Sequence, residues 1–226
     1  MGRSPLSGGK AGRSWGGRSG QAFAADEDDV IWGGMAAGLA AGSLVSTPEG
    51  WRPVEGVVEG DHVMTFDGGM QRVKKVCRGV LWRADGPCPK PLWPLFAPVD
   101  ALGNDRSLVL LPEQCVLVES DLAEELYADP FALMPATALD GVLGITRMPP
   151  QAAVDVVSLA FQRDEIVYVN GAALIFCPVE AAGNPVPLDR LPGAGALSAY
   201  DVLCGEAARL VARELQDIAG RETYAA

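Results

Sequence analysis

The feature that most constrains this chain is a series of turn signals separating short apolar runs between Leu44 and Val118. Thr47-Pro48-Glu49-Gly50, Gly60-Asp61, Asp67-Gly68-Gly69 and Leu102-Gly103-Asn104 break the chain every few residues. Proline presets φ for one turn position and glycine accepts positive φ at another, so each tetrad reverses the chain locally. Between them lie runs rich in Val, Leu and Trp: Trp51–Val58, His62–Phe66, Gln71–Trp82, Leu108–Leu111 and Cys115–Val118. Runs this short cannot be core helices, and no helical period fills the gaps between them. The expectation is an all-β domain, and Rossmann and TIM architectures are excluded.

Further along, Asp121–Tyr127 reads as one helical excursion, with Asp121 as N-cap and Glu124 three residues on. Val154–Leu159 and Glu165–Val169 read as a hairpin around Gln162-Arg163-Asp164, and Ala172–Val179 as another strand. Residues 183–197 are rich in Pro and Gly and read as a linker. Ser198 is placed to cap a helix over Tyr200–Ala219, with Leu203, Ala207, Leu210, Val211, Leu215 and Ile218 at helical spacing. The expected organisation is a disordered basic-then-acidic arm over 1–29, a β domain over 30–182, the linker, and a helix over 198–220 packed on the domain.

Composition limits the chemistry. The formal charge is -11 over 226 residues, so the body repels phosphate and nucleic acid is not an expected partner. There is a single histidine, His62, and histidine is both the commonest general base near neutral pH and the commonest metal ligand. The five cysteines, Cys77, Cys88, Cys115, Cys177 and Cys204, form no CxxC pair. No metal and no cofactor are expected, and the cysteines read as mostly buried, reduced small hydrophobes. The first twenty residues hold Arg3, Lys10, Arg13 and Arg18, no acid, and no continuous apolar core. They do not read as a signal peptide, so a cytoplasmic location is expected, with non-classical secretion left open. Residues 30–46 are membrane-like in composition, but they are short for a span and glycine-rich; a loop entering a strand is the expectation and membrane attachment the alternative.

One segment says more. Gly42-Ser43, Thr47-Pro48-Glu49-Gly50, Pro53-Val54-Glu55 and Gly60-Asp61-His62-Val63 stand in the order and spacing of the opening motif of Hint domains, the Hedgehog/intein autoprocessing family. The chain resembles the bacterial stand-alone type. Asp67–Lys74, Ala101–Asn104, Leu108–Leu117, Met134–Leu139, Val156–Ala172 and Tyr200–Ala212 continue the similarity, which covers about 38–218. The resemblance implies a flattened horseshoe of short strands. It also implies self-cleavage chemistry, in which a first-residue Cys or Ser attacks the preceding carbonyl. A second-motif hydroxyl and a histidine three residues later assist, the histidine protonating the leaving nitrogen.

Here those positions are vacant. The nucleophile position falls on Gly38, the second-motif hydroxyl on Leu111, its histidine on Gln114, and a further position often histidine on Asp164. Glutamine donates a hydrogen bond but cannot shuttle a proton at neutral pH. His62 reads as a strand residue beside a turn, and Thr47 as bonded within its own turn. Ser43, Ser46 and Thr47 are weak nucleophiles without a base. The expectation is a Hint-like module without catalytic residues, acting in binding or structure with an unknown protein partner. The alternatives are an active self-processing domain using a non-standard nucleophile such as Cys115, and an unrelated β-rich binding module.

Overall fold

The computed structural model describes residues 37–84, 86–179 and 200–225. The arm over 1–29, the first part of the 30–46 run, the linker over 183–197 and Ser198 therefore lie outside the described residues.

The chain runs through β1 (Leu39–Ala40), β2 (Leu44–Thr47), β3 (Gly50–Pro53), β4 (His62–Thr65), β5 (Gly69–Arg72), β6 (Lys75–Trp82), β7 (Leu95–Ala97), β8 (Leu108–Leu110) and β9 (Cys115–Glu119). Then follow α1 (Asp121–Tyr127), β10 (Phe131–Pro135), β11 (Thr146–Arg147), β12 (Val154–Ala160), β13 (Glu165–Val169), β14 (Ala173–Cys177) and α2 (Gly205–Ala225). The molecule is mostly β-strand in open sheets with one long C-terminal helix. Among the described residues no helix is long and apolar enough to cross a membrane.

The turn signals act where the sequence places them. In the β2–β3 hairpin Thr47 pairs with Gly50, and the Thr47 hydroxyl donates to the Gly50 carbonyl at 2.8 Å. Gly50 has φ +109, which only glycine adopts without strain. The β4–β5 hairpin turns at Asp67-Gly68. A Cβ on Gly68 would lie 2.7 to 2.9 Å from Gln71 Nε2, Thr65 Oγ1 and Glu165 Oε2, so a side chain there would have to displace these groups. Asn104 is fully buried; its side chain donates to the Pro98 and Arg106 carbonyls and accepts from Leu102 N–H, so this turn is a hydrogen-bonded hub.

Four local expectations need correction. The run Trp51–Val58 is a strand only to Pro53; Val54–Gly56 is a 3-10 turn that buries Val54 completely. Gln71–Trp82 divides at Val73-Lys74, whose N–H groups bond to Asp61 and Ala160 rather than continuing one ladder. The N-cap of α1 is Ser120, not Asp121: the Ser120 side chain accepts from Ala123 N–H at 3.0 Å. The helix expected from Tyr200 begins at Gly205, because Tyr200–Cys204 runs extended against β10, with Leu203 N–H donating to the Leu133 carbonyl at 2.7 Å.

The largest correction concerns β12 and β13. They do not form a hairpin with each other. β12 is the centre of a three-stranded sheet ordered β1-β12-β6, while β13 lies in the eight-stranded sheet between β14 and β2. A third sheet runs β11-β7-β8. Both strands are deeply placed: Val156–Ala160 are all buried, as are Glu165–Val167. Each strand finds both of its edge partners elsewhere, β12 in β1 and β6 and β13 in β14 and β2, which leaves no free edge for the two to share.

The main core joins these layers through Val45, Val63, Val116, Val167, Val169 and Ile175, all nearly inaccessible. α2 adds Ala208, Val211 and Ala212, with Leu215 partly buried, at the i, i+3, i+4, i+7 spacing of one helix face. Leu210, placed on the buried face by its apolarity, is 41% exposed.

Candidate functional site

Gly38 precedes β1, whose Leu39 and Ala40 pair with Val157 and Val156 of β12. Its φ is +127, in the region that L-residues avoid. A Cβ there would stand 2.9 Å from Val156 Cγ1 and 3.0 Å from the Val157 carbonyl oxygen. Both the backbone angle and the space therefore strain any side chain at Gly38, unless β1 moves.

Gln114 lies in the turn that follows Leu111, with its own N–H on the Leu111 carbonyl. Its side chain is 2% exposed and spans two backbone groups. Oε1 accepts from Leu111 N–H at 3.1 Å, and Nε2 donates to the Gly38 carbonyl at 2.5 Å. The partners determine which end of the amide is which, since one needs an acceptor and the other a donor. Gly38, Leu111 and Gln114, named from the sequence as one site, are thus brought together.

The Leu111 side chain is wholly buried in a small apolar cluster with Ala40, Leu81 and Val156. The position for which the resemblance implies a hydroxyl thus carries a buried hydrocarbon side chain. Val156 belongs to this site through both its contacts, with the Gly38 Cβ position and with Leu111. Its only sequence signal was membership of an apolar run.

The remaining sequence-named positions stand apart. Thr47 closes its own turn, with the Glu49 carboxylate at 3.2 Å from the same hydroxyl. Asp164 sits in the β12–β13 connection and accepts from Val179 N–H at 2.8 Å, beyond the end of β14. Cys115 follows Gln114 directly, but strand alternation turns it to the opposite face, into a cluster with Leu117, Leu133, Ile166 and Phe176. Burial pushes its thiol up to about 12, so it stays protonated and non-nucleophilic at neutral pH. The cysteines as a set are less buried than expected: Cys115 and Cys177 are buried, Cys77 and Cys88 half-buried, and Cys204 exposed.

His62 opens β4, exposed and paired with Arg72. It borders a small cavity of about 170 Å³ shared with Thr47, Arg52 and Asp61. The Val58 N–H, and the Arg52 guanidinium at 2.6 Å, hold the Asp61 carboxyl below the usual carboxylate range. Asp61 is thereby committed to its turn. Among the described residues no group of three or more His, Cys, Asp or Glu is placed to hold a metal ion.

Two larger cavities were not legible in the sequence, because distant segments build them. One, of about 360 Å³, lies beside β1 between Ala40, Phe96, Val109, Met148 and Pro149. The other, of about 470 Å³, lies over the end of the eight-stranded sheet and is walled by Phe66, Phe131 and Tyr168.

No curated protein matches the chain. Among solved structures it is similar to a bacterial intein-like domain from Clostridium thermocellum, at 11% identity and a TM-score of 0.43, over 62% of this chain and 96% of that one. It is also similar to the MchDnaB-1 intein, at 18% identity and a TM-score of 0.37, over 61% and 98% of the two chains. The family model described as Hint domain matches residues 37–174, from the residue before Gly38 to the first two residues of β14. That match spans more than half of the sequence, and the chain belongs to the Hint domain family.

Proposed function

We propose that this Hint domain does not cleave itself and serves as a binding module. The observation that carries this reading is the Gln114–Gly38 hydrogen bond, at a residue that has no side chain and whose φ and surroundings disfavour one. An N-to-S or N-to-O shift needs a thiol or hydroxyl beside the scissile bond and a group that changes protonation state. Gly38 supplies neither atom, the Gln114 amide does not titrate, and Leu111 presents only hydrocarbon. The buried, protonated Cys115 thiol gives no support to a substitute nucleophile.

The test is the intact mass of purified protein after incubation with excess dithiothreitol or hydroxylamine, which capture thioester and ester intermediates. The full-length mass is expected throughout. A fragment beginning at Gly38 would overturn the reading, and loss of that fragment in Cys115→Ala would assign the chemistry to Cys115.

A further inference from the structure

The eight-stranded sheet presents a partly open face whose make-up follows from register. Phe131 pairs directly with Glu119, Leu133 with Leu117, Leu117 with Leu174, and Leu174 with Tyr168. Residues directly opposite in an antiparallel ladder point to the same side, so these six side chains share one surface. Phe66, just after β4, completes it. Its ring meets Phe131 edge-on at 4.8 Å between centroids and Tyr168 at 6.4 Å.

The far half of this face is covered. Tyr200 packs on Phe176 at 5.9 Å, and Val202 bridges to Leu133. The near half forms the cavity of about 470 Å³, within the size range of ligand sites. Its lining holds three aromatic rings, several aliphatic side chains and one charged residue, Glu119. Glu119 is exposed, and among the described residues its carboxylate makes no ion pair. No Lys or Arg lines the groove.

From this we propose that the Phe66–Phe131–Tyr168 groove docks a peptide segment carrying a Lys or Arg side chain between large apolar residues. Ring faces carry negative potential and attract a cation, the Glu119 carboxylate stands directly across the ladder from one of those rings, and the aliphatic floor accepts the flanking apolar groups. An anionic segment would meet a carboxylate without a counter-charge in a molecule of net charge -11. The proposal rests on the binding-module reading, for which it supplies the surface and the partner's chemistry.

The probe is a capped Leu-Lys-Phe-Lys peptide titrated calorimetrically into the full-length protein, beside a counterpart with both lysines replaced by glutamine. The lysine peptide is expected to bind roughly tenfold more tightly. Glu119→Gln, an exposed change that leaves the fold intact, is expected to remove most of that difference, and Phe131→Ala to weaken both peptides. Raising salt from about 50 to about 500 mM is expected to weaken the lysine peptide selectively. Equal binding of the two peptides, no binding of either, or indifference to Glu119→Gln would overturn the proposal. Concentration-dependent dimerisation abolished by Phe131→Ala would also overturn it, assigning the groove to a second copy of the chain. Intact masses of the same samples separate the two readings: a fragment beginning at Gly38 removes the no-cleavage reading, whereas a null titration on intact protein removes only the docking proposal.

Discussion

Gln114 joins two backbone groups, the buried Leu111 N–H and the carbonyl of half-buried Gly38. Gln114→Ala leaves both orphaned and is expected to cost about 2–4 kcal/mol in urea denaturation. Gln114→His can present one ring nitrogen to each, so it should cost less, and it should still show no cleavage because Gly38 has no nucleophile. Gly38→Cys is the sharper test. Its φ of +127 and the contact with Val156 predict a loss of about 1–3 kcal/mol, shared by Gly38→Ala. Restored cleavage before position 38 in the cysteine variant, seen by mass spectrometry, would show that β1 can readjust. The buried thiols give a pH dependence. Burial raises the Cys115 and Cys177 thiols from 9.0 to about 12. Below about pH 9 both folded and unfolded chains keep these protons. Between about 9 and 12 the unfolded chain releases them and the folded one does not, so each thiol lowers stability by about 1.4 kcal/mol per pH unit. Urea midpoints at about pH 8 and pH 10.5 should therefore fall less in Cys115→Ala than in the unaltered protein.

At the scale of elements, α2 is tied to the body by side chains that sequence spacing did not reveal. The Glu214 carboxylate accepts from Leu122 N–H at 2.8 Å and from the Ser120 hydroxyl, serving the exposed N–H end of α1 from across the interface. Gln216 Oε1 accepts from Leu143 N–H at 2.7 Å. Glu214→Ala is expected to destabilise the protein by about 1–3 kcal/mol, and Glu214→Gln by less, since the amide oxygen still accepts one bond. Chemical denaturation of the two variants decides this. Strand positions such as His62–Thr65 and Cys115–Glu119 were legible within a residue or so, because side-chain type and turn residues set them locally. The start of α2 was not. Tyr200–Cys204 has nothing against helix in its local pattern, but Leu203 gains a backbone partner in Leu133 and Tyr200 a ring contact with Phe176. Long-range pairing of that kind overrides propensity.

At the scale of the whole molecule, three sheets and a helix assemble a Hint domain in which residues 76 positions apart, Gly38 and Gln114, share a hydrogen bond. The resemblance marked Gly38, Leu111 and Gln114 as one site with three vacancies, and the structure brings those residues together. What fills the vacancies was not legible, because Val156 reaches Gly38 only through the pairing of β1 with β12. The proposed no-cleavage reading predicts that extended incubation at neutral pH leaves the protein at its full-length mass, with or without added thiol. Recovery of two complementary fragments joined at Ala37 and Gly38 would contradict it.

The sequence by itself determined the all-β class, the places of the β2–β3 and β4–β5 turns, the family resemblance and the scarcity of histidine. These depend on residue type and spacing within a few positions, where proline, glycine and apolar alternation act directly on φ, ψ and burial. The tertiary structure alone decided that β12 and β13 go to different sheets, that Gln114 closes on the Gly38 carbonyl, that Cys115 faces away from that site, and that aromatic rings from two strands and a turn line one groove. Those outcomes depend on which distant segments compete for the same hydrogen bonds and the same volume, and that competition exists only once the chain is packed.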